Sequence, residues 1–140
     1  MTQIDFYTHV KNKHQLACML SAKALEHSMR VIIYTPDQAT DEFMDQLLWT
    51  SSATAFLPHC GTRHELATQT PILIMHDAEV LLHDEILLNL RPECPVFFSR
   101  FQRLIEIVGP DEGDRQTARE RYRFYRDRGY EIRSHDMSKS

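Results

Sequence analysis

The sequence predicts a three-layer α/β/α domain around a mainly parallel central sheet, and three observations predict it. Short β-branched runs such as Arg30–Thr35 (Arg-Val-Ile-Ile-Tyr-Thr) read as strands of the kind buried on both faces of a parallel sheet. Segments with apolar residues at helical spacing lie between such runs. The two kinds of segment alternate along nearly the whole chain, as layered α/β folds require. With 140 residues, 42% hydrophobic and 26% charged, the chain can bury a real core. A single domain over 1–140 is expected, with a polar, frayed tail at 135–140.

The elements follow in order. Ile4–Tyr7 reads as a short strand. Asn12 to about Ser28 reads as a helix, with Leu16, Leu20 and Ala24 on one face and Met19, Lys23 and His27 on another. Arg30–Thr35 is the second strand. Thr35-Pro36 then marks a helix start, with Thr35 as N-cap and Pro36 at the first helical position; that helix carries Phe43, Leu47 and Leu48 and ends near Trp49-Thr50-Ser51-Ser52. Ala55–His59 is a short apolar segment halted by Pro58, and Pro71–Met75 is strand-like. Ile86–Leu90 is a weaker strand, because Leu81–Leu90 also reads as helix. Pro95–Arg103 is an apolar connection with a short helix over Phe97, Phe98 and Phe101. Leu104–Val108 is a β-type run closed by Gly109-Pro110. A last helix follows, capped by Asp111 or Asp114 at its start and by a left-handed Gly129 at its end. Tyr130–Arg133 adds an edge strand.

Charge is unevenly spread. The chain totals −4, but residues 115–140 carry 8 basic against 4 acidic side chains and residues 1–114 carry 8 against 16. Proteins that coat duplex DNA are usually basic overall. A basic patch on an acidic body suits a specific acidic partner better. The cysteines Cys18, Cys60 and Cys94 are odd in number and widely spaced, as expected of reduced thiols in a cytoplasmic protein. The segment Met1–Asp5 lacks the build of a signal peptide, and no apolar run approaches the ~18–20 residues that cross a bilayer.

Alternating α/β folds often bind nucleotides, so a phosphate-binding loop is the first chemistry to seek. The fold is Rossmann-like in its alternation but lacks that glycine loop. Of four glycines, Gly61, Gly109, Gly113 and Gly129, none falls in a G-x-G-x-x-G or G-x-x-x-x-G-K-[ST] pattern, and Thr8–Asn12 after the first strand has none. His59, Cys60 and His64 match no common zinc spacing. His76-Asp77 and His83-Asp84 are loop residues in which acid–base pairing is conceivable but unsupported by any nucleophile motif. No catalytic residue, metal or cofactor is therefore expected, and no enzyme activity.

The chain's most distinctive segment is Ala118–Tyr130, where arginines interleave with aromatics. At roughly 100° per residue, Arg115, Arg119, Arg123 and Arg126 form one stripe and Ala118, Tyr122 and Tyr125 the adjoining one. Arg121 and Arg128 fall on the far flank, and Phe124 stands apart. Seven arginines face three acids between Arg115 and Arg133. Guanidinium forks grip carboxylates bidentately and stack on rings, so the segment is suited to an acidic ligand with an apolar knob. Trp49 and Phe56 stand at element ends, where aromatics anchor partner proteins when they are not core.

These blocks carry a family resemblance. Ala118–Ile132, Phe97–Phe101 leading into Leu104–Val108, Arg30–Pro36, Leu47–Thr50 and Phe56–His59, in that family's order, together resemble the chi subunit of bacterial DNA polymerase III holoenzyme. Two departures stand out: Ser28-Met29, where family members often have glycine, and the His59–Gln69 loop. The resemblance implies a non-enzymatic accessory protein of the clamp-loader assembly, located in the cytoplasm with the nucleoid and replisome. It implies two partners: the psi subunit, and the acidic, phenylalanine-ended C-terminal tail of single-stranded DNA-binding protein. The matched tail-binding positions are Val108, Arg119, Tyr122 and Arg123; the matched psi-facing positions are Trp49 and Phe56. DNA would be contacted mainly indirectly, and no membrane is involved. Two alternatives stay open: an α/β enzyme acting on nucleotides or nucleic acids, and a module that stacks single strands directly on Tyr122, Phe124 and Tyr125.

Overall fold

The structure, a computed structural model, describes residues 1–50, 57–62, 64–78 and 80–139. Its strands are β1 (Gln3–Thr8), β2 (Val31–Tyr34), β3 (His59–Gly61), β4 (Ile72–Met75), β5 (Ile86–Asn89), β6 (Arg103–Ile107) and β7 (Ile132–Asp136). They form one sheet in the order β3-β4-β2-β5-β6-β1-β7, and every neighbouring pair is parallel. The helices are α1 (Lys13–Glu26), α2 (Gln38–Thr50) and α3 (Glu112–Asp127).

Parallel strands need crossovers, and the crossovers here divide between the two faces. Alternate side chains of the central strands feed two cores. Val31, Ile33, Ile72, Ile74, Ile86 and Leu88 meet Leu16, Ala17, Ala24, Met44 and Leu48 of α1 and α2. Ile32, Leu73, Leu87 and Leu104 meet Phe98, Phe101 and the α3 residues Ala118 and Tyr125. The expected three layers are thus present. Ile86–Asn89, the weak strand of the sequence, lies near the middle of the sheet with all four residues buried. Burial on both faces removes the period-2 signal, so a run of this kind is hard to tell from helix by pattern alone.

The helix ends show what local chemistry can and cannot specify. α1 begins at Asn12, whose side chain accepts from Gln15 N at 3.1 Å. α2 is not capped by Thr35. Asp37 takes that role, accepting from Thr40 N at 2.8 Å. Thr35 is drawn instead into the sheet, where its N–H donates to Met75 O at 2.8 Å and its hydroxyl meets Asp41. At α3, Asp111 caps by accepting from Asp114 N at 3.0 Å. Asp114 bonds elsewhere. It accepts from Gly109 N at 2.7 Å and from Lys13 Nζ at 3.1 Å, which ties the β6–α3 turn to α1.

α1 and α3 end in the same double hydrogen-bonded turn. At α3, Tyr130 N reaches Tyr125 O and Gly129 N reaches Arg126 O, with Gly129 at φ +84°. At α1, Met29 N reaches Ala24 O and Ser28 N reaches Leu25 O, with Ser28 at φ +58°. Ser28 is therefore an L-residue held in left-handed backbone where glycine would sit without strain.

The three cysteines are free; Cys18 is buried and its thiol is pushed up to about 11 by burial. Among the described residues no helix is long and apolar enough to cross a membrane.

Candidate functional site

β1 and β6 are neighbours, yet β1 leaves toward α1 on one face and β6 leaves toward α3 on the other. Beyond the carboxyl ends of two such strands the connections diverge and a crevice opens. A cavity of about 220 Å³ lies there, under the first half of α3. Phe6, Val108, Ala118 and Tyr122 give it apolar walls. Thr8, His9, Gly109 and Ser134 close the strand side, and Arg115 and Arg119 border it from α3.

Each wall has a local cause. Val108 is fixed at the end of β6 by two hydrogen bonds, its N–H to Tyr7 O at 2.8 Å and its C=O from Val10 N at 3.0 Å. Tyr122 is 37% exposed and meets Phe6 edge-on at 5.4 Å between ring centres. His9 turns the chain at φ +57°, and its Nδ1 lies 3.1 Å from Asp136. Arg119 Nη2 lies 3.0 Å from Glu112 Oε1, and Arg115 Nη1 lies 3.7 Å from Glu112 Oε2. The Arg119 hydrogen bond and charge, with Arg115 behind them, hold the Glu112 carboxyl below its ordinary value of 4.5.

α3 is fastened from beneath by a buried polar cluster. Glu106 of β6 is fully buried. It accepts from Arg121 Nε at 3.0 Å, from Asn89 Nδ2 at 3.1 Å and from the Tyr125 hydroxyl at 2.6 Å. Arg121 also donates to Pro92 O at 2.7 Å. Burial pushes the Glu106 carboxyl up from its ordinary value, and the Arg121 charge with the Tyr125, Asn89 and Arg121 donors pulls it back. The Tyr125 hydroxyl is raised far above the usual phenol range by burial and by the Glu106 charge. The seam of α3 that faces the sheet is thus Ala118, Arg121 and Tyr125. Arg121 belongs to it, although the sequence reading sets it on the far flank; it stands only about 40° from Tyr125 around the helix, and the buried Glu106 draws its guanidinium inward.

Of the residues singled out in the sequence, Val108, Arg119 and Tyr122 line one cavity. Arg123 does not; it is exposed one turn beyond Arg119. Trp49 is 54% exposed at the end of α2, with its ring 5.1 Å from that of His59. Phe56 lies outside the described residues. Phe6, Thr8, His9 and Ser134 escape the sequence reading, because they reach the cavity only through the strand order β6-β1-β7. Arg115 stands in the sequence as one of a stripe of arginines, with nothing to mark it as a cavity residue. His76, considered above with Asp77, is paired instead with Asp41 of α2, and its Nε2 lies 4.0 Å from Asp77. His83 is buried, which lowers its readiness to take a proton.

Fold and cavity together define an α/β domain without a phosphate loop, carrying an apolar cleft flanked by guanidinium groups at a switch point of its sheet. The model of one family, the DNA polymerase III chi subunit, HolC, matches residues 1–133. The DNA polymerase III subunit chi of Pseudomonas aeruginosa is 32% identical over 98% of this chain and 98% of its own length. The corresponding subunits of Haemophilus influenzae and Escherichia coli are each 28% identical. They match over 88% and 84% of this chain and over 86% and 81% of their own lengths. The chain belongs to the DNA polymerase III chi-subunit family, which places it in DNA replication.

Proposed function

We propose that this protein is a non-catalytic accessory subunit of the clamp-loader assembly that tethers the replicative polymerase to coated single-stranded DNA. It does so by holding the acidic C-terminal tail of single-stranded DNA-binding protein at α3 while binding the psi subunit through the surface around Trp49 and Phe56. The observation that carries this reading is the apolar cavity between Val108, Ala118 and Tyr122 with Arg115 and Arg119 beside it. Its volume, about 220 Å³, falls below the ~300–1,000 Å³ of small-molecule pockets and suits a single side chain. A terminal phenylalanine would fill the cavity and its carboxylate would meet Arg119. A hydrogen bond to a charged group is worth about 1.5–3 kcal/mol. Arg123 and Arg126, off the cavity wall, would attract upstream aspartates, a long-range effect that speeds association and weakens with salt. Weak single contacts suffice, because many tails on one coated strand raise the local concentration.

Calorimetric titration of an acidic peptide ending in phenylalanine tests the tail site. Arg119→Ala is expected to weaken binding at least tenfold with the fold intact; equal affinity removes Arg119 from the site. Co-purification with psi tests the second surface, and Phe56→Ala or Trp49→Ala is expected to disrupt it. A labelled oligonucleotide, titrated alongside, tests the stacking alternative. That alternative has lost a platform: Tyr125 is wholly buried, and Phe124 is partly covered by the Arg128 guanidinium at 3.6 Å from its ring centre.

A further inference from the structure

The two arginines that line the α3 cavity already share a carboxylate of the protein itself. Glu112 lies in the first turn of α3, and its two oxygens each face a different guanidinium, Arg119 at 3.0 Å and Arg115 at 3.7 Å. Arg115 and Arg119 are the two arginines that line the cavity. Among the described residues, Glu112 is the acidic side chain within ion-pair distance of both. An incoming carboxylate therefore meets a pair of guanidinium groups that is half neutralised, not vacant.

We propose that Glu112 is an internal placeholder for the ligand's carboxylate, which must swing away before the terminus of an acidic peptide engages Arg115 and Arg119. This rests on the tail-binding reading above and sets how tightly that site binds. The side chain can leave at little cost. It is 71% exposed, on the first turn of its helix, and its two pairs are surface pairs of the weak kind. Its carboxyl, held below the ordinary value by Arg119, stays charged at neutral pH and so competes there at full strength. Two consequences follow. Part of the attraction between the arginines and a free carboxylate is offset by the lost Glu112 pairs, so affinity is lower than the fork alone would give. A peptide that lacks a terminal carboxylate leaves the Glu112 pairs in place and bears no such cost, so the placeholder narrows the preference for free chain ends.

The test compares the native chain with Glu112→Gln and Glu112→Ala. Each is titrated with an acidic phenylalanine-ended peptide, once with a free terminal carboxylate and once amidated. The expected result is about three- to tenfold tighter binding of the free-acid peptide by both variants, from the release of two surface ion pairs. The preference for the free acid over the amide should widen at the same time, because the amidated peptide leaves Glu112 in place and gains little from its removal. Nitrogen-detected spectra of the Arg115 and Arg119 side chains, recorded without peptide, should show both Nε–H groups shifted in the variants. Unchanged or weaker binding by both folded variants overturns the placeholder role and leaves the tail site standing. Absence of free-acid peptide binding by the native chain and both variants sinks the tail site, and the placeholder with it.

Discussion

Arg119 and Arg121 sit two residues apart on one helix and carry the same side chain into opposite circumstances. Arg121 is 3% exposed and locked to the buried Glu106; Arg119 is 56% exposed and paired with the exposed Glu112. On the inner face the guanidinium is a structural part. Two charges taken from water are held only by good geometry, and removing one leaves the other stranded in the core. On the outer face the same group stands in solvent, and its pair with Glu112 is cheap to break, as the proposed ligand role requires. The contrast teaches that an arginine count says nothing about binding until each guanidinium is placed on its side of the helix.

The comparison can be broken most easily at its strong end. Arg121→Ala is expected to lower stability by about 3–5 kcal/mol, read as a fall in the urea midpoint, and adding Glu106→Gln should recover part of it because no charge is then left alone. Arg119→Ala should move that midpoint by no more than about 0.5 kcal/mol. If the two substitutions destabilise equally, the inner and outer faces are not distinct. Tyr125→Phe removes only the hydroxyl that donates to Glu106 and should cost about 1.5–3 kcal/mol in the same measurement. The smallest effect concerns pH. Glu112 has a folded-state value depressed below 4.5, so its contribution to stability is present above that value and lost as pH falls through the depressed one. Glu112→Gln should therefore be slightly less stable than the native chain at pH 7, with the gap closing as pH falls through the depressed value; a gap that widens in acid contradicts the assignment.

Much of the scaffold was legible. The β-branched run at Val31–Tyr34 and the closure of β6 at Gly109-Pro110 are local signals, and so is the left-handed Gly129, because sterics of the chain near each residue decide them. Val108, Arg119 and Tyr122 were reachable through the resemblance of whole blocks. The misreadings have a common cause. Thr35 has the chemistry of an N-cap, but β4 claims its backbone N–H, and Asp37 caps instead. Arg121 has the chemistry of a surface residue, but Glu106, fifteen positions earlier, claims its guanidinium.

By itself the sequence determined the alternation of strands and helices, a helix unusually rich in arginine and aromatics, and the lack of any glycine loop for phosphate. These depend on propensity, periodicity and spacing, which are properties of neighbours along the chain. Tertiary structure alone decided that β1 and β6 lie side by side and send their helices to opposite faces. That placement opens the cavity, brings Phe6, His9 and Ser134 to it across more than a hundred residues, and divides the arginines of α3 between core and rim. Strand order and the burial of charge arise from contacts between distant segments, and no local pattern encodes them.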